Sequence, residues 1–254
     1  MAELRTGWLV ALGLLLASGS AGAAMRATDE FREGTTRPLK VALLPVHATV
    51  VKAKVIETEN LVEESTELGR LLAAEIDELM RAGGYQVEVI DADRVNVDPR
   101  LQEYVVDANR RYDELLGQVR PNRIKRRLYN AGDEARVLAD YLGVDAIAFT
   151  RLQVVAATGG RTAVALLVGI GSMGGASANL ALVDGDTGDL EAWFVSTYVG
   201  ASAKSIEENP QGEMAQIAAS MLAKLPGADP TLRVEEEPES DEDVLSGVEA
   251  LLEQ

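Results

Sequence analysis

The sequence predicts an α/β fold, a mixed five-stranded sheet with helices packed on it in the order β-α-β-α(α)-β-β-β-α. Three observations predict it. Short apolar runs rich in branched residues, bounded by Gly and Pro, recur at strand length. Between the first three of them lie segments whose apolar residues return every three or four positions, the helical period. The last two runs flank a five-residue Gly/Asp stretch of hairpin character. Two crossovers through helices followed by a meander give a sheet with both parallel and antiparallel pairs.

The elements follow in order. Leu39–Val46 (LKVALLPV) reads as a buried strand. Thr58–Gly83 changes period, with Leu61, Leu68, Leu71, Leu72, Ile76, Leu79 and Met80 on one helical face and Gly83-Gly84 as the stop. Tyr85–Asp91 alternates as a second strand. Asp98-Pro99 is a helix start, with Pro in the first turn, and helical spacing covers Leu101–Val119 and Asp133–Leu142, interrupted at Pro121 and closed by Gly143. Asp145–Ala157, Ser177–Asp184 and Leu190–Val199 are the third to fifth strands, the last two joined through Gly185–Asp189. Ile206–Leu225 closes the series as an amphipathic helix.

What precedes and follows this core has a different character. Met1–Ala24 has Arg5, the uncharged run Trp8–Ala17, and small residues ending in Ala21-Gly22-Ala23, an A-x-A pattern. That is the build of a secretory signal peptide, cleaved near Ala23/Ala24; left uncleaved, it would anchor the chain in the inner membrane. Met25–Pro38 is polar and patternless and is expected to be a disordered leader. The α/β domain then spans 39–226, and 227–254 is an acidic tail. The tail holds ten acids against one base and carries −9 of the chain's net charge of −17. Such a chain is repelled by nucleic acid and by anionic head groups. With no cysteine, it has no disulfide, no thiolate chemistry and no lipid-modified N-terminal cysteine.

Five pieces carry a resemblance: KVALLPV at 40–46, LGRLLAAEIDELMRAGGYQVEVID at 68–91, ARVLADYLGVDAIAFTRL at 135–152, NLALVDGDTGDLEAWF at 179–194, and the final helix. Together they resemble the α/β domain at the amino terminus of TolB and in CsgG-like curli-secretion proteins. The resemblance implies a periplasmic compartment and a non-enzymatic role in cell-envelope assembly at the outer membrane. The β-propeller of TolB and the anchor cysteine of the secretion proteins have no counterpart here.

Several motifs invite chemistry. Gly169–Gly174 fits G-x-G-x-x-G, but a strand pattern follows where a dinucleotide site needs a helix N-terminus, so it reads as a glycine-rich connection. Thr162–Val183 is 22 residues without a charge, long enough for a membrane-inserting hairpin of a CsgG-like pore or ring; it also suits a contact surface for a protein partner or a mobile hairpin at the domain's edge. His47, the lone histidine, follows the first strand with no nucleophile motif near it. Asp184, Asp186 and Asp189 lack the remaining ligands of a calcium loop and read as turn chemistry. Asp91 and Asp93, after the second strand, are the carboxylates an envelope-polymer enzyme would use.

Two segments are candidate partner-binding elements. Arg120, Arg123, Lys125, Arg126 and Arg127 form a basic cluster suited to an anionic partner or to the chain's own tail. Val244, Leu245, Val248, Leu251 and Leu252 are spaced along one helical face at the end of an acidic tether. The expectation is an exported, non-enzymatic accessory or scaffold protein that binds envelope proteins, with homo-oligomers open to it and with no cofactor, metal or catalytic residue.

Overall fold

A twelve-residue strand, Ala146–Ala157, is the axis of the molecule. The structure, a computed structural model, describes residues 21–34, 38–53, 58–118, 129–157, 175–199, 206 and 208–226. In chain order the elements are β1 (Ala21–Ala27), α1 (Asp29–Arg32), β2 (Lys40–Leu43), β3 (His47–Ala53), β4 (Thr58–Asn60), α2 (Val62–Ala82), β5 (Gln86–Val89), α3 (Ala92–Val97), α4 (Pro99–Leu116), α5 (Gly132–Leu142), β6 (Ala146–Ala157), β7 (Gly175–Asp184), β8 (Leu190–Val199) and α6 (Pro210–Leu222).

The fold is mixed α/β, as expected, but among the described residues the sheet has eight strands rather than five. Its order is β1-β8-β7-β6-β2-β5, and β3, which pairs with β4, lies beside the outer half of β6. The β2–β5, β2–β6 and β3–β6 pairs are parallel; β6, β7, β8 and β1 form an antiparallel meander. One core lies under α1, α2 and α6 and includes Phe31, Leu72, Ile76, Met80 and Phe194. The other lies under α3, α4 and α5 and includes Leu44, Leu101, Tyr112, Leu138 and Phe149.

The extra strands have identifiable causes. β2 and β3 are one strand broken by a bulge. Val41 to Leu43 pair with Ala146 to Ala148, whereas His47 pairs with Arg151, so three residues, Leu44–Val46, face the two residues Phe149 and Thr150. Pro45 sits in the bulge, where a missing N–H costs no ladder bond. The sequence predicts Leu39–Val46 as one complete strand with His47 at its end, whereas β6 is long enough to hold a second length of chain beyond the break.

Met25–Pro38, expected as a disordered leader, contributes the end of β1 and all of α1. Met25, Arg26 and Ala27 pair with Phe194, Trp193 and Ala192 of β8. Thr28 caps α1 by accepting from the Phe31 amide at 3.2 Å, and Phe31 is fully buried, edge-on to Phe194 with ring centroids 6.3 Å apart. The segment orders because β8 would otherwise present an open edge and because one aromatic ring finds a core to enter. Ala21–Ala24, assigned to the signal segment, continue the same ladder opposite Tyr198 to Val195. Met1–Ser20 lie outside the described residues.

Two helices differ in extent. α2 begins at Val62, since Thr58–Asn60 are drawn into β4. α6 starts at Pro210, where Asn209 caps it by accepting from the Gly212 amide at 3.2 Å and Pro occupies the first turn.

Candidate functional site

The bulge at Pro45 determines what the far end of the sheet presents. Side chains alternate across a strand, and one extra residue reverses the alternation beyond it. Leu44 faces the α4 core and Val46 the α2 core, and His47 again faces α4. His47 thereby stands beside its register partner Arg151, on the face that carries Ile147 and Phe149.

Arg151 lies largely covered between sheet and helix and is the centre of a polar cluster whose Asp113 end is exposed. Its Nη2 donates to Asp113 Oδ1 at 2.6 Å and to Asn109 Oδ1 at 3.1 Å, its Nε donates to Asp113 Oδ1 at 3.0 Å, and its Nη1 donates to the Thr150 carbonyl at 3.3 Å. The guanidinium carbon lies 5.0 Å from the Tyr112 ring centroid, a cation–π contact, and the side chain is 15% exposed. Tyr112 stacks on Phe149 at 4.7 Å and donates its hydroxyl to Asn179 Oδ1 at 2.9 Å. Burial pushes the Tyr112 phenol far above its ordinary range. His47 is shifted down from 6.5, first by burial, then by the Arg151 charge, against which Asp113 pulls weakly upward. The first two effects favour the neutral imidazole.

The helix that supplies Asn109, Tyr112 and Asp113 is held firmly. Asp98 caps α4 by accepting from the Arg100 and Leu101 amides, both at 3.1 Å, and takes a hydrogen bond from Tyr141 Oη of α5 at 2.7 Å. The Tyr141 hydroxyl, then the amides, hold the Asp98 carboxyl below its usual range.

In front of this cluster is an open cleft of about 770 Å³ at the carboxyl ends of β2 and β5. Parallel α/β sheets present their ligand crevices at this end. Pro45, Val95, Val105 and Val106 give it apolar walls, with Val106 58% exposed. His47, Asn96, Gln102, Asn109 and Asp113 line it with polar groups. The rim cation Arg110 is neutralised by Asp107 at 3.3 Å and Glu114 at 3.6 Å. No group of three His, Asp or Glu that could hold a metal occurs among the described residues.

The residues singled out in the sequence fall as follows. Asp91 caps α3, accepting from the Arg94 amide at 2.7 Å, and Asp93 is exposed in the first turn. Asp184 Oδ1 accepts from Asp186 N, Thr187 N and Thr187 Oγ1 at 3.0, 2.7 and 2.8 Å, and Asp189 takes a bond from Asn130, so these carboxylates are spent on the turn. Of the uncharged run, 175–183 belongs to β7, with Leu180, Ala181, Leu182 and Val183 fully buried in the sheet; Thr162–Gly174, including the glycine motif from Gly169, lies outside the described residues. Arg120, Arg123, Lys125, Arg126, Arg127, Val244, Leu245, Val248, Leu251 and Leu252 also lie outside them. None of the described helices is long and apolar enough to cross a membrane. The sequence reading singled out His47 without its partners: Arg151, Asn109 and Asp113 form no motif, and only the register of β3 against β6 brings them to it. The available signal was a cation, Arg151, in the middle of a largely apolar run, Ala146–Ala157.

No protein-family profile and no curated protein matches the chain. Among solved structures it is similar to the PelC dodecamer from Paraburkholderia phytofirmans, at 11% identity over 83% of this chain and 100% of that one, with a TM-score of 0.42. A second PelC dodecamer from the same organism, a point variant, matches at 10% identity over 82% of this chain and 99% of that one, with a TM-score of 0.39. Likeness of this size carries no statement about the function or assembly of this chain.

Proposed function

We propose that this protein is an exported, non-enzymatic accessory protein of the cell envelope and that the cleft beside α4 is where it holds a protein partner. The observation that carries the reading is the state of the charges at that cleft. Arg151, Asp113 and Arg110 are engaged with one another or with neighbouring side chains, so the charged groups at the cleft already have partners. What is left to a visitor is apolar wall with amide groups beside it, Val95, Val105 and Val106 with Asn96 and Gln102. An extended or helical polypeptide segment matches that mixture, apolar side chains on the wall and backbone groups on the amides. The signal-like start, the net charge of −17 and the resemblance to TolB and CsgG domains support the periplasm as the compartment and argue against nucleic acid.

The test is site-specific photocrosslinking in cells, with the reactive residue at Val106 in the cleft or at Val62, exposed on the opposite side of the sheet. A defined protein adduct at position 106, absent at 62 and lost when Val105→Glu is added, is expected. Equal labelling at both positions overturns the cleft as the docking surface. An envelope-polymer cleavage activity of the purified protein that disappears in His47→Ala overturns the non-enzymatic reading.

A further inference from the structure

The expected cleavage site lies inside a β-strand. β1 runs from Ala21 to Ala27, and its partners on β8 run from Tyr198 to Ala192. Cleavage after Ala23 leaves Ala24–Ala27 in place and removes the three residues opposite Ser196, Thr197 and Tyr198. The backbone of β8 there loses its outer neighbour, and open edge positions are templates for another strand.

The composition of that edge is unusual among the edges of this sheet. β4 is three residues long and contains Glu59. β5 carries Glu88, ion-paired to Arg94 at 2.6 Å. Both are blunted in the ordinary way, by shortness or by charge. Val195–Val199 (VSTYV) is uncharged, has no Pro or Gly, and is rich in the β-branched and aromatic residues that favour strands. Below it, Ser196 is buried and its hydroxyl is within 3.2 Å of Ser220 of α6, so this stretch is held to the domain from within.

We infer that removal of the signal segment opens the Ser196–Tyr198 edge of β8 and that a second copy of this chain fills it, pairing antiparallel about a two-fold axis at Thr197. The inference rests on the export reading above. An antiparallel edge is complementary to itself: Thr197 meets Thr197, and Ser196 meets Tyr198 of the other copy, with no like charges brought opposite each other. A ladder of this length is small beside the interfaces of stable dimers, so association is weak and depends on concentration. The copies carry −17 each, and their mutual repulsion is long-ranged, so salt strengthens the pairing by screening it. Association driven by opposite charges would weaken with salt instead.

Because the chain has no cysteine, a single introduced one is a clean reporter. The full chain carrying Thr197→Cys is expressed with its own export signal, and intact mass reports where it is cut. Under mild oxidation the processed protein is expected to form disulfide dimers at least about tenfold faster than Val62→Cys, since paired strands hold the thiols at high effective concentration. The unsubstituted processed protein is expected to show a monomer–dimer equilibrium in sedimentation that shifts towards dimer with added salt. Thr197→Lys, which would bring like charges opposite each other across the two-fold axis, is expected to be monomeric while still unfolding cooperatively. A mass equal to the full chain overturns the cleavage and with it the opened edge. A correctly cut protein that stays monomeric, or whose Thr197→Cys form crosslinks no faster than Val62→Cys, overturns the pairing alone. Capture of a different protein by Cys at 197, in place of a second copy, overturns the occupant.

Discussion

Replacing Phe31 with Ala tests whether Met25–Glu33 belongs to the fold. The ring is fully buried against Phe194, within a core that also takes in Ala27, Met214 and Ile217. Truncating a buried Phe to Ala costs about 3–5 kcal/mol through lost burial and the cavity left behind. The four-residue helix around it has one side-chain cap and no capacity to persist alone, so the cost cannot exceed what it takes to detach Ala27–Glu33 as a unit. The lower end, about 3 kcal/mol, is the expected value. For a domain of this size each kcal/mol moves Tm by about 2–4 °C, which gives a fall of roughly 6–12 °C. The assay is thermal unfolding followed by circular dichroism on the exported protein, with Arg32→Ala as a control, since Arg32 is half exposed and its ion pair to Asp29 is long at 4.0 Å. A change of less than about 0.5 kcal/mol for Phe31→Ala, the size ordinary at an exposed position, would falsify the assignment of this segment to the core.

Two further predictions concern polar groups on the central strands. The Thr150 hydroxyl is fully buried on the α2 side of the sheet with no hydrogen-bond partner, so Thr150→Val removes an uncompensated polar atom at nearly constant shape and is expected to stabilise by about 1 kcal/mol in urea unfolding; a destabilised variant refutes it. His47 is shifted below 6.5 in the folded state, so below about pH 6.5 the unfolded chain binds a proton that the folded chain resists. Stability is therefore flat above that pH and falls as the pH drops through the window beneath it. The single imidazole is expected to titrate below 6.5 by NMR, and His47→Gln is expected to lessen that acid-side loss; titration at or above 6.5 refutes the burial argument.

The parts of the fold that could be read directly are those whose information is local. α2 shows its face through Leu68, Leu72, Ile76 and Met80, all of which are buried. Gly143 ends α5 in a left-handed conformation (φ 66°), as a glycine after a helical run should. The β7–β8 hairpin follows from the Asp and Gly residues between its strands, and Asp184 does the capping its position suggests. The site was not legible in the same way. His47 and Arg151 are 104 residues apart, and their meeting depends on a bulge at Pro45 that changes the alternation by one. A proline in an apolar run marks a break but does not say whether the chain leaves the sheet or resumes against the same neighbour. Met25–Arg32 failed for a related reason. Its polar composition is that of a linker, and only the open edge of β8 and the pocket near Phe194 make it a strand and a helical turn.

By itself the sequence determined the fold class, the order of the main strands and helices, the acidic character of the chain and the absence of cysteine chemistry. These follow from periodicity, punctuation and composition, which act over one element at a time. The tertiary structure alone decided that β6 serves two partners in succession, that the lone histidine stands against a buried arginine held by α4, and that a strand at the sheet's edge runs through the expected processing site. Each of these is a matter of register between distant segments. Register is set by which faces must be buried once all the elements are packed together, and no single stretch of sequence contains that information.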